Sequence, residues 1–174
     1  MNVGAKMMCP EIESRFGQLE ERRKKLVERV RALPEAARAK SPGARSFSPN
    51  QLIMHMALAE GVDLGHMTKC PPSMLAGRKP KPTFVFRQAV KKLSQASRMP
   101  TMRSMLPPAQ VSLEHAEQRW DEVRAGIAGM LGQVASPDAA VIKYFPFGTL
   151  SASDLLLLLE AHSHYHETLF PATA

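Results

Sequence analysis

The alternation of apolar and polar residues along the chain predicts a protein built from long helices. Apolar residues that recur every three or four positions lie on one face of an α-helix. The first such stretch predicts a helix from Glu11 to Leu33, interrupted at Arg23, with apolar positions at Ile12, Phe16, Leu19, Leu26, Val30 and Leu33. A later stretch repeats without interruption at Leu113, Ala116, Trp120, Val123, Ile127, Met130 and Val134. That second pattern is typical of core packing in a helix bundle and predicts a buried Trp120.

Capping signals predict where two further helices begin. Ser48 followed by Pro49 and Gln51 forms a capping box with proline at the first helical position. The residues that follow, "LIMHMALAEGVDLGHM", are apolar on nearly every side at first, which predicts a helix buried among others. Ser151 and Asp154 form a similar box, with Ser153 as an alternative cap. The last helix then runs to Phe170, before Pro171.

Proline-rich segments separate the predicted helices. "CPPSMLAGRKPKP" and "MPTMRSMLPPA" are predicted as loops, and "TFVFRQAVKKLSQASR" between them as a shorter helix. "SPDAAVIKYFPFGTL" is predicted as a loop with some extended character, and no alternation is long enough for a sheet. We therefore expect an all-α fold, an antiparallel four-helix bundle with an additional short helix and long loops. We expect one domain over residues 1–174.

Three histidines at alternate positions stand in "LEAHSHYHETLF", near the end of the chain. On a helix, His162 and His166 share a face while His164 points elsewhere. A single histidine on an apolar face is more often a hydrogen-bonded core residue, but a pair four residues apart can bind one metal ion. His55, in the middle of the apolar helix, is the best candidate for a third ligand. Three imidazoles would leave a metal position open for water or substrate, as in catalytic zinc sites.

Other chemistries have weaker support in the sequence. The chain contains no nucleophile elbow, phosphate-binding loop or dinucleotide fingerprint, and the histidine pair has no adjacent glutamate of the HExxH type. Glu60 and Glu160 lie near the histidines but not on their helical stripe. Cys9 and Cys70 have no pattern that indicates a nucleophile or a disulfide framework.

Charge and composition narrow the range of partners. The formal net charge is +7, and the segment from Lys69 to Arg103 contains nine Lys or Arg and no acidic residue. Such a segment either binds an anionic partner or forms a solvated surface. No nucleic-acid reading motif is present, so we do not expect nucleic acid. No apolar run reaches the roughly 18 residues needed to span a bilayer, and the first residues lack the apolar core of a secretory signal. We therefore expect a cytoplasmic protein without a membrane partner.

Two motifs resemble those of the DinB-like superfamily, the DinB/YfiT metalloenzymes. "FSPNQLIMHMALAE" is similar to the segment that carries the family's first metal histidine. "FPFGTLSASDLLLLLEAHSHYHETLF" is similar to its C-terminal signature, in which an HxxxH helix follows a turn. The resemblance implies a divalent transition metal (Zn, Ni or Fe) bound by His55, His162 and His166, and a homodimer.

Characterised members of that family include thiol-dependent S-transferases and a thiol-dependent isomerase, and many members have no known activity. The resemblance therefore implies a metal-dependent enzyme with a small-molecule thiol or anionic substrate, of the S-transferase type. The alternative is a non-catalytic helical bundle that binds a small anion or a partner protein. The residues that would carry out catalysis beyond the metal ligands are not indicated by the sequence.

Overall fold

The computed structural model describes residues 8–43, 46–97 and 100–170, most of which are helical. Within these ranges the long helices are α1 (Pro10–Arg31), α3 (Pro49–Lys69), α5 (Leu113–Leu131) and α6 (Ala152–Leu169), and the short ones are α2 (Glu35–Ala39) and α4 (Phe84–Ser94). Short 3-10 turns occur at Pro72–Leu75 and Arg103–Met105. In the described part of the chain, no helix is both long and apolar enough to cross a membrane.

A small antiparallel sheet shows that the expectation of no sheet is wrong. Its strands are β1 (Lys81–Pro82), β2 (Ala140–Tyr144) and β3 (Gly148–Ser151), in the order β1-β3-β2. β2 and β3 form a hairpin directly before α6. At Gly148, φ is +89° and an added Cβ would lie 2.5 Å from the Lys81 carbonyl oxygen, so only glycine lets β1 approach. The fold also contains two short helices where one was expected, because the connector after α1 contains α2.

Both predicted capping boxes are confirmed. The Ser48 hydroxyl accepts from the Gln51 amide at 3.2 Å, and the Ser48 amide donates to the Gln51 side chain at 3.0 Å. Ser151 and Asp154 make the same reciprocal pair, with both bonds at 3.0 Å, so Ser151 and not Ser153 begins α6. These caps satisfy amides that would otherwise lack a partner at the starts of α3 and α6. Pro171 and Arg98, at the ends of two predicted helices, lie outside the described residues.

Two apolar clusters form the core. One packs the sheet and α6 against the first half of α1 and the last turns of α5. The other joins the first half of α3 to α1 and α5 and contains Trp120, which is 1% exposed as predicted. α3 is buried on nearly every side, also as predicted. Arg23, which interrupts the apolar stripe of α1, pairs with Glu20 and Asp121, and its guanidinium lies 5.8 Å from the Trp120 ring centroid.

A buried ion pair crosses the core between α3 and α5. The Arg124 guanidinium donates to both carboxylate oxygens of Glu60, at 2.5 and 2.7 Å, and the two side chains are 2% and 1% exposed. A third member, Glu20 on α1, lies 3.2 Å from Arg124. A charge-assisted bidentate pair of this kind offsets the cost of removing the charges from water. The three helices are therefore held together by polar as well as apolar contacts.

A second buried polar contact links α3 to the sheet. The Tyr144 hydroxyl donates to Oδ1 of Asp63 at 2.9 Å, and the Tyr144 ring stacks on His66 with centroids 4.4 Å apart. Burial is the main cause that raises the pKa of Asp63, to about 7; the Tyr144 bond opposes it and the nearby Glu60 charge adds to it. Asp63 is thus a buried carboxyl that holds its proton close to neutral pH.

We predict that Asp63→Asn changes how stability depends on pH. The ordinary pKa of Asp63 is 3.8 and its folded value is about 7, so between these values the folded protein binds the extra proton. The free energy of unfolding of the wild type therefore falls as pH rises through this window. Asparagine removes the effect, so the variant should gain up to about 4 kcal/mol relative to wild type between about pH 4 and pH 8. Urea unfolding at several pH values measures the difference.

Asp138→Asn, at an exposed site, is the matched control and should leave the pH dependence unchanged. A stability difference between Asp63→Asn and wild type that does not vary with pH would mean that Asp63 stays ionised in the folded state.

We also predict that Trp120, the single tryptophan, fluoresces at short wavelength and resists aqueous quenchers. Its ring is buried among apolar side chains, where polar solvent cannot relax around the excited indole. Emission spectra with and without iodide or acrylamide test this, with the urea-unfolded protein as the exposed reference. Emission that is already red-shifted and readily quenched in the native protein would contradict the packing.

Candidate metal centre

Two helices bring three histidines together in the interior. α3 carries His55 in its second turn, and α6 carries His162 and His166 one turn apart near its end. His55 and His166 are 3% and 8% exposed, and His162 is partly buried. One ring nitrogen from each of the three lies within 4.8 Å of the other two. His162 and His166, four residues apart, therefore lie on one face of α6 as predicted, and this face lies next to His55.

The two imidazoles of α6 approach each other through their Nε2 atoms. Nε2 of His162 and Nε2 of His166 are 3.0 Å apart. Two nitrogens bound to one metal ion at about 2.0–2.1 Å lie about 2.9–3.4 Å apart, depending on the coordination angle. The pair is thus already spaced for a single shared ion.

A backbone carbonyl orients the third imidazole. Nδ1 of His55 lies 2.8 Å from the carbonyl oxygen of Met105, in the 3-10 turn Arg103–Met105. Since a carbonyl only accepts, Nδ1 carries the proton and Nε2 keeps its lone pair. Metal-binding histidines commonly donate their second N–H in this way, which fixes the ring and increases the basicity of the other nitrogen.

Two aromatic rings lie beside the histidine cluster. The Phe47 ring centroid lies 4.8 Å from that of His55, and the Tyr165 centroid lies 4.8 Å from that of His166 in an edge-to-face arrangement. Phe47 comes directly before the Ser48 cap, so the sequence motif that begins α3 also positions the Phe47 ring beside His55. The rings lower the local polarity and limit the approach of water to the imidazoles.

Burial keeps the three imidazoles neutral. It is the largest cause that lowers the pKa of His162 to about 3 and of His166 to about 2, and the charge on neighbouring histidines lowers both further. Burial also lowers the pKa of His55, although its hydrogen bond to Met105 acts in the opposite direction. Neutral imidazole is the form that binds a metal ion, so protons compete weakly for these nitrogens at neutral pH.

The donor set fits a divalent transition metal. Imidazole nitrogens suit Zn, Ni and Fe(II), and three of them leave coordination positions free. Among the described residues, the cluster of metal-ligand side chains contains no carboxylate or thiolate. Three neutral ligands leave the ion's double positive charge uncompensated, which favours an anionic further ligand.

The structure separates the other candidate residues from the cluster. His164 is exposed and points away from the pair, as expected, and His115 on α5 is exposed too. Glu60 binds Arg124, and Glu160 binds Arg15 through two bonds at 3.0 and 2.9 Å, so both carboxylates are already paired. Both carboxylates therefore bind arginines rather than facing the histidines, which agrees with their positions around the helices.

Three residues of the basic segment lie away from the histidines. Lys81 pairs with Thr149 of β3, which leads directly into the start of α6, about 16 Å along the helix from His162. Arg78 and Lys79 line a groove of about 510 Å³ between residues 72–80 and 133–140, away from the histidines. Arg103 belongs to the 3-10 turn whose Met105 carbonyl contacts His55, so this part of the segment adjoins the site.

The carbonyl of Met105 is the atom of the candidate site that the sequence did not indicate. Every residue offers a backbone carbonyl, so no residue type marks this one, and Met105 is fifty positions from His55. Phe47, by contrast, belongs to the quoted "FS" start of the α3 motif.

Comparisons with known proteins identify one family. Neither the curated proteins nor the solved structures include a match to this chain. The sequence does match the DinB superfamily over residues 18–168, a range that contains all three clustered histidines and both capping boxes. The match covers well over half of the chain, and it agrees with the resemblance carried by the two histidine motifs. The chain belongs to the DinB superfamily.

Proposed function

We propose that the protein is a metal-dependent enzyme in which His55, His162 and His166 bind one divalent transition metal. The observation that carries the proposal is the meeting of three neutral imidazoles in a buried place without a carboxylate partner. Nε2 of His162 and Nε2 of His166 can share at most one hydrogen bond between them, whereas a shared ion would use the lone pairs of all three imidazoles. Zn, Ni and Fe(II) all suit this donor set.

We further propose that the substrate is a low-molecular-weight thiol and the reaction an S-transfer. A bound divalent metal supplies a Lewis acid that favours the deprotonated form of a thiol or water. The protein holds His55 in one tautomer through Met105, and Phe47 and Tyr165 limit the access of water. Arg103 supplies a positive charge beside the site for a carboxylate of the substrate.

We also propose that the chain forms one domain organised as an antiparallel four-helix bundle, as expected from the sequence. The long helices α1, α3, α5 and α6 all take part in helix–helix contacts, which supports it. The proposal also includes a homodimer, which light scattering on the purified protein would test.

We predict that the protein binds one metal ion per chain and that His55→Ala, His162→Ala and His166→Ala each abolish binding. Loss of one of three ligands should weaken affinity by more than the about 10–100-fold typical of a lost outer partner. Elemental analysis after loading and desalting measures the metal content. Thermal unfolding gives a second readout, because an ion that binds only the folded state raises the melting temperature of the wild type.

The matched control is His164→Ala, on the same helix but exposed, which should keep the full metal content and the metal-dependent rise in melting temperature. If His164→Ala lost the metal as completely as its neighbours, the assignment of ligands would be wrong. A wild-type protein that stayed metal-free under all loading conditions would instead favour the non-catalytic bundle.

We predict that Arg103→Gln weakens the binding of an anionic thiol to the metal-loaded protein by about 1.5- to 5-fold, the scale of an exposed ion pair. The metal content should not change, because Arg103 contributes no metal ligand. Isothermal titration calorimetry at low and high salt measures this, and the effect should shrink as salt screens the charge. Arg78→Gln, at the far end of the basic segment, is the control and should bind like wild type. Equal losses in both variants would exclude a local role for Arg103.

A further inference from the structure

Two exposed phenylalanines lie on neighbouring chain segments beside the turn of the β2–β3 hairpin. Phe145 is 95% exposed and Phe84 is 67% exposed. The chain segments that carry them are joined directly, since Thr83 donates its amide to the Phe147 carbonyl at 2.9 Å and its hydroxyl to the Pro146 carbonyl at 2.7 Å. Each phenylalanine is one residue from these bonded residues, so their side chains start from the same small area. We call Phe84 and Phe145 the aromatic tip.

The exposure of the aromatic tip contrasts with its immediate neighbours. Phe86 is 2% exposed, and its ring lies 5.7 Å from that of Phe147 in an edge-to-face pair. The chain therefore packs one phenylalanine from each segment against the other and leaves one from each in water. Single apolar side chains on a surface are ordinary, but adjacent large ones mark a surface that contacts something else. Val85, 47% exposed and next to Phe84, enlarges the apolar area.

Four basic residues lie on the chain segments that carry the aromatic tip. Lys81 and Lys143 are both cross-strand partners of Thr149, so the two lysines lie on the same face of the sheet, about 10 Å apart. On α4, Arg87 and Lys91 follow Phe84 at three and seven residues, which places them on one helical stripe. All four side chains are exposed, and we call them the cationic rim.

The outer face of α4 continues this pattern. α4 buries Phe86, Ala89 and Leu93, and α4 packs on α6. Its opposite side carries the apolar Phe84 at the start and basic residues beyond it, with no acidic residue between residues 69 and 103. An apolar group beside clustered lysine and arginine is the pattern of segments that lie at the surface of an anionic membrane.

Charge and side-chain type distinguish between the possible binding partners of this surface. A second copy of the chain placed tip to tip would set two cationic rims against each other, which like-charge repulsion disfavours. A single-stranded nucleic acid would use aromatic faces for stacking, and the aliphatic Val85 beside Phe84 offers no such face. A lipid surface accepts aromatic and aliphatic side chains alike and supplies many phosphates to a spread of cations.

We propose that the aromatic tip and the cationic rim bind an anionic phospholipid surface. The two phenylalanines enter the boundary between headgroups and acyl chains, and the cations of the rim contact the lipid phosphates. The expectation of no membrane partner rested on the absence of a spanning segment, and a peripheral contact needs none. This surface lies at the start of α6 and the metal centre near its end, so the inference does not depend on the proposed function.

Cosedimentation of the full chain with vesicles tests the proposal. We expect binding to vesicles of phosphatidylcholine mixed with phosphatidylglycerol, and at least about tenfold weaker binding to pure phosphatidylcholine, because the rim needs anionic headgroups. Rising salt should weaken the binding. Failure to bind the mixed vesicles, or equal binding to both kinds, would overturn the proposal.

Paired variants separate the two parts of the surface. Phe84→Gln with Phe145→Gln, and separately Lys81→Gln with Lys143→Gln, should each weaken binding by at least about tenfold, since both apolar and charge contributions are needed. The controls are Met74→Gln, an exposed apolar residue elsewhere, and Arg22→Gln with Lys25→Gln on α1, which should bind like wild type. All these positions are exposed, so the melting temperature should not change. Undiminished binding in the phenylalanine pair would overturn the insertion.

A spectroscopic variant reports on insertion directly. In Phe145→Trp, emission should shift to the blue and become protected from iodide when the mixed vesicles are added, while Trp120 alone in the wild type should not respond. If single-stranded DNA produced this response and vesicles did not, the surface would be a nucleic-acid site and the lipid proposal would be wrong.

Discussion

The buried ion pair between Arg124 and Glu60 determines how α3 is oriented in the core. Both side chains are almost completely removed from water, and their two hydrogen bonds of 2.5 and 2.7 Å replace part of the lost hydration. Breaking such a pair leaves an uncompensated buried charge, which destabilises a protein by about 3–5 kcal/mol. α3 must therefore turn Glu60 toward α5, and this fixes its rotation about its own axis.

That rotation also determines where His55 points. His55 precedes Glu60 by five residues, so the two side chains lie about 140° apart around the helix. One direction meets Arg124 on α5 and the other meets His162 and His166 on α6. An α3 that is apolar on nearly every side has no single apolar face to select its orientation. We infer that the buried polar residues supply this selection, with the ion pair on one side and the imidazoles on the other.

The parts of this structure that were predictable from sequence depend on short-range signals. The capping boxes at Ser48 and Ser151, the buried stripe around Trp120 and the shared face of the two histidines on α6 all follow from spacings of three or four residues. The sheet was not predictable, because β1 has two residues and β2 buries three in succession, so neither alternates. The Met105 carbonyl and the partner of Arg124 depend on contacts fifty or more residues apart, which no local pattern encodes.

Two parts of the basic segment lie at separate places in the described structure. The sheet places Lys81 beside the start of α6, whereas the turn at Arg103 contacts His55, which meets the far end of that helix. A separation of about 16 Å along α6 exceeds the Debye length of about 8 Å at physiological ionic strength, so the two groups of charges act almost independently. The anion preference proposed for the metal centre therefore rests on the charge that a bound ion would carry and on Arg103. The charges at the sheet can therefore bind a different partner, and the aromatic tip lies on the adjoining chain segments.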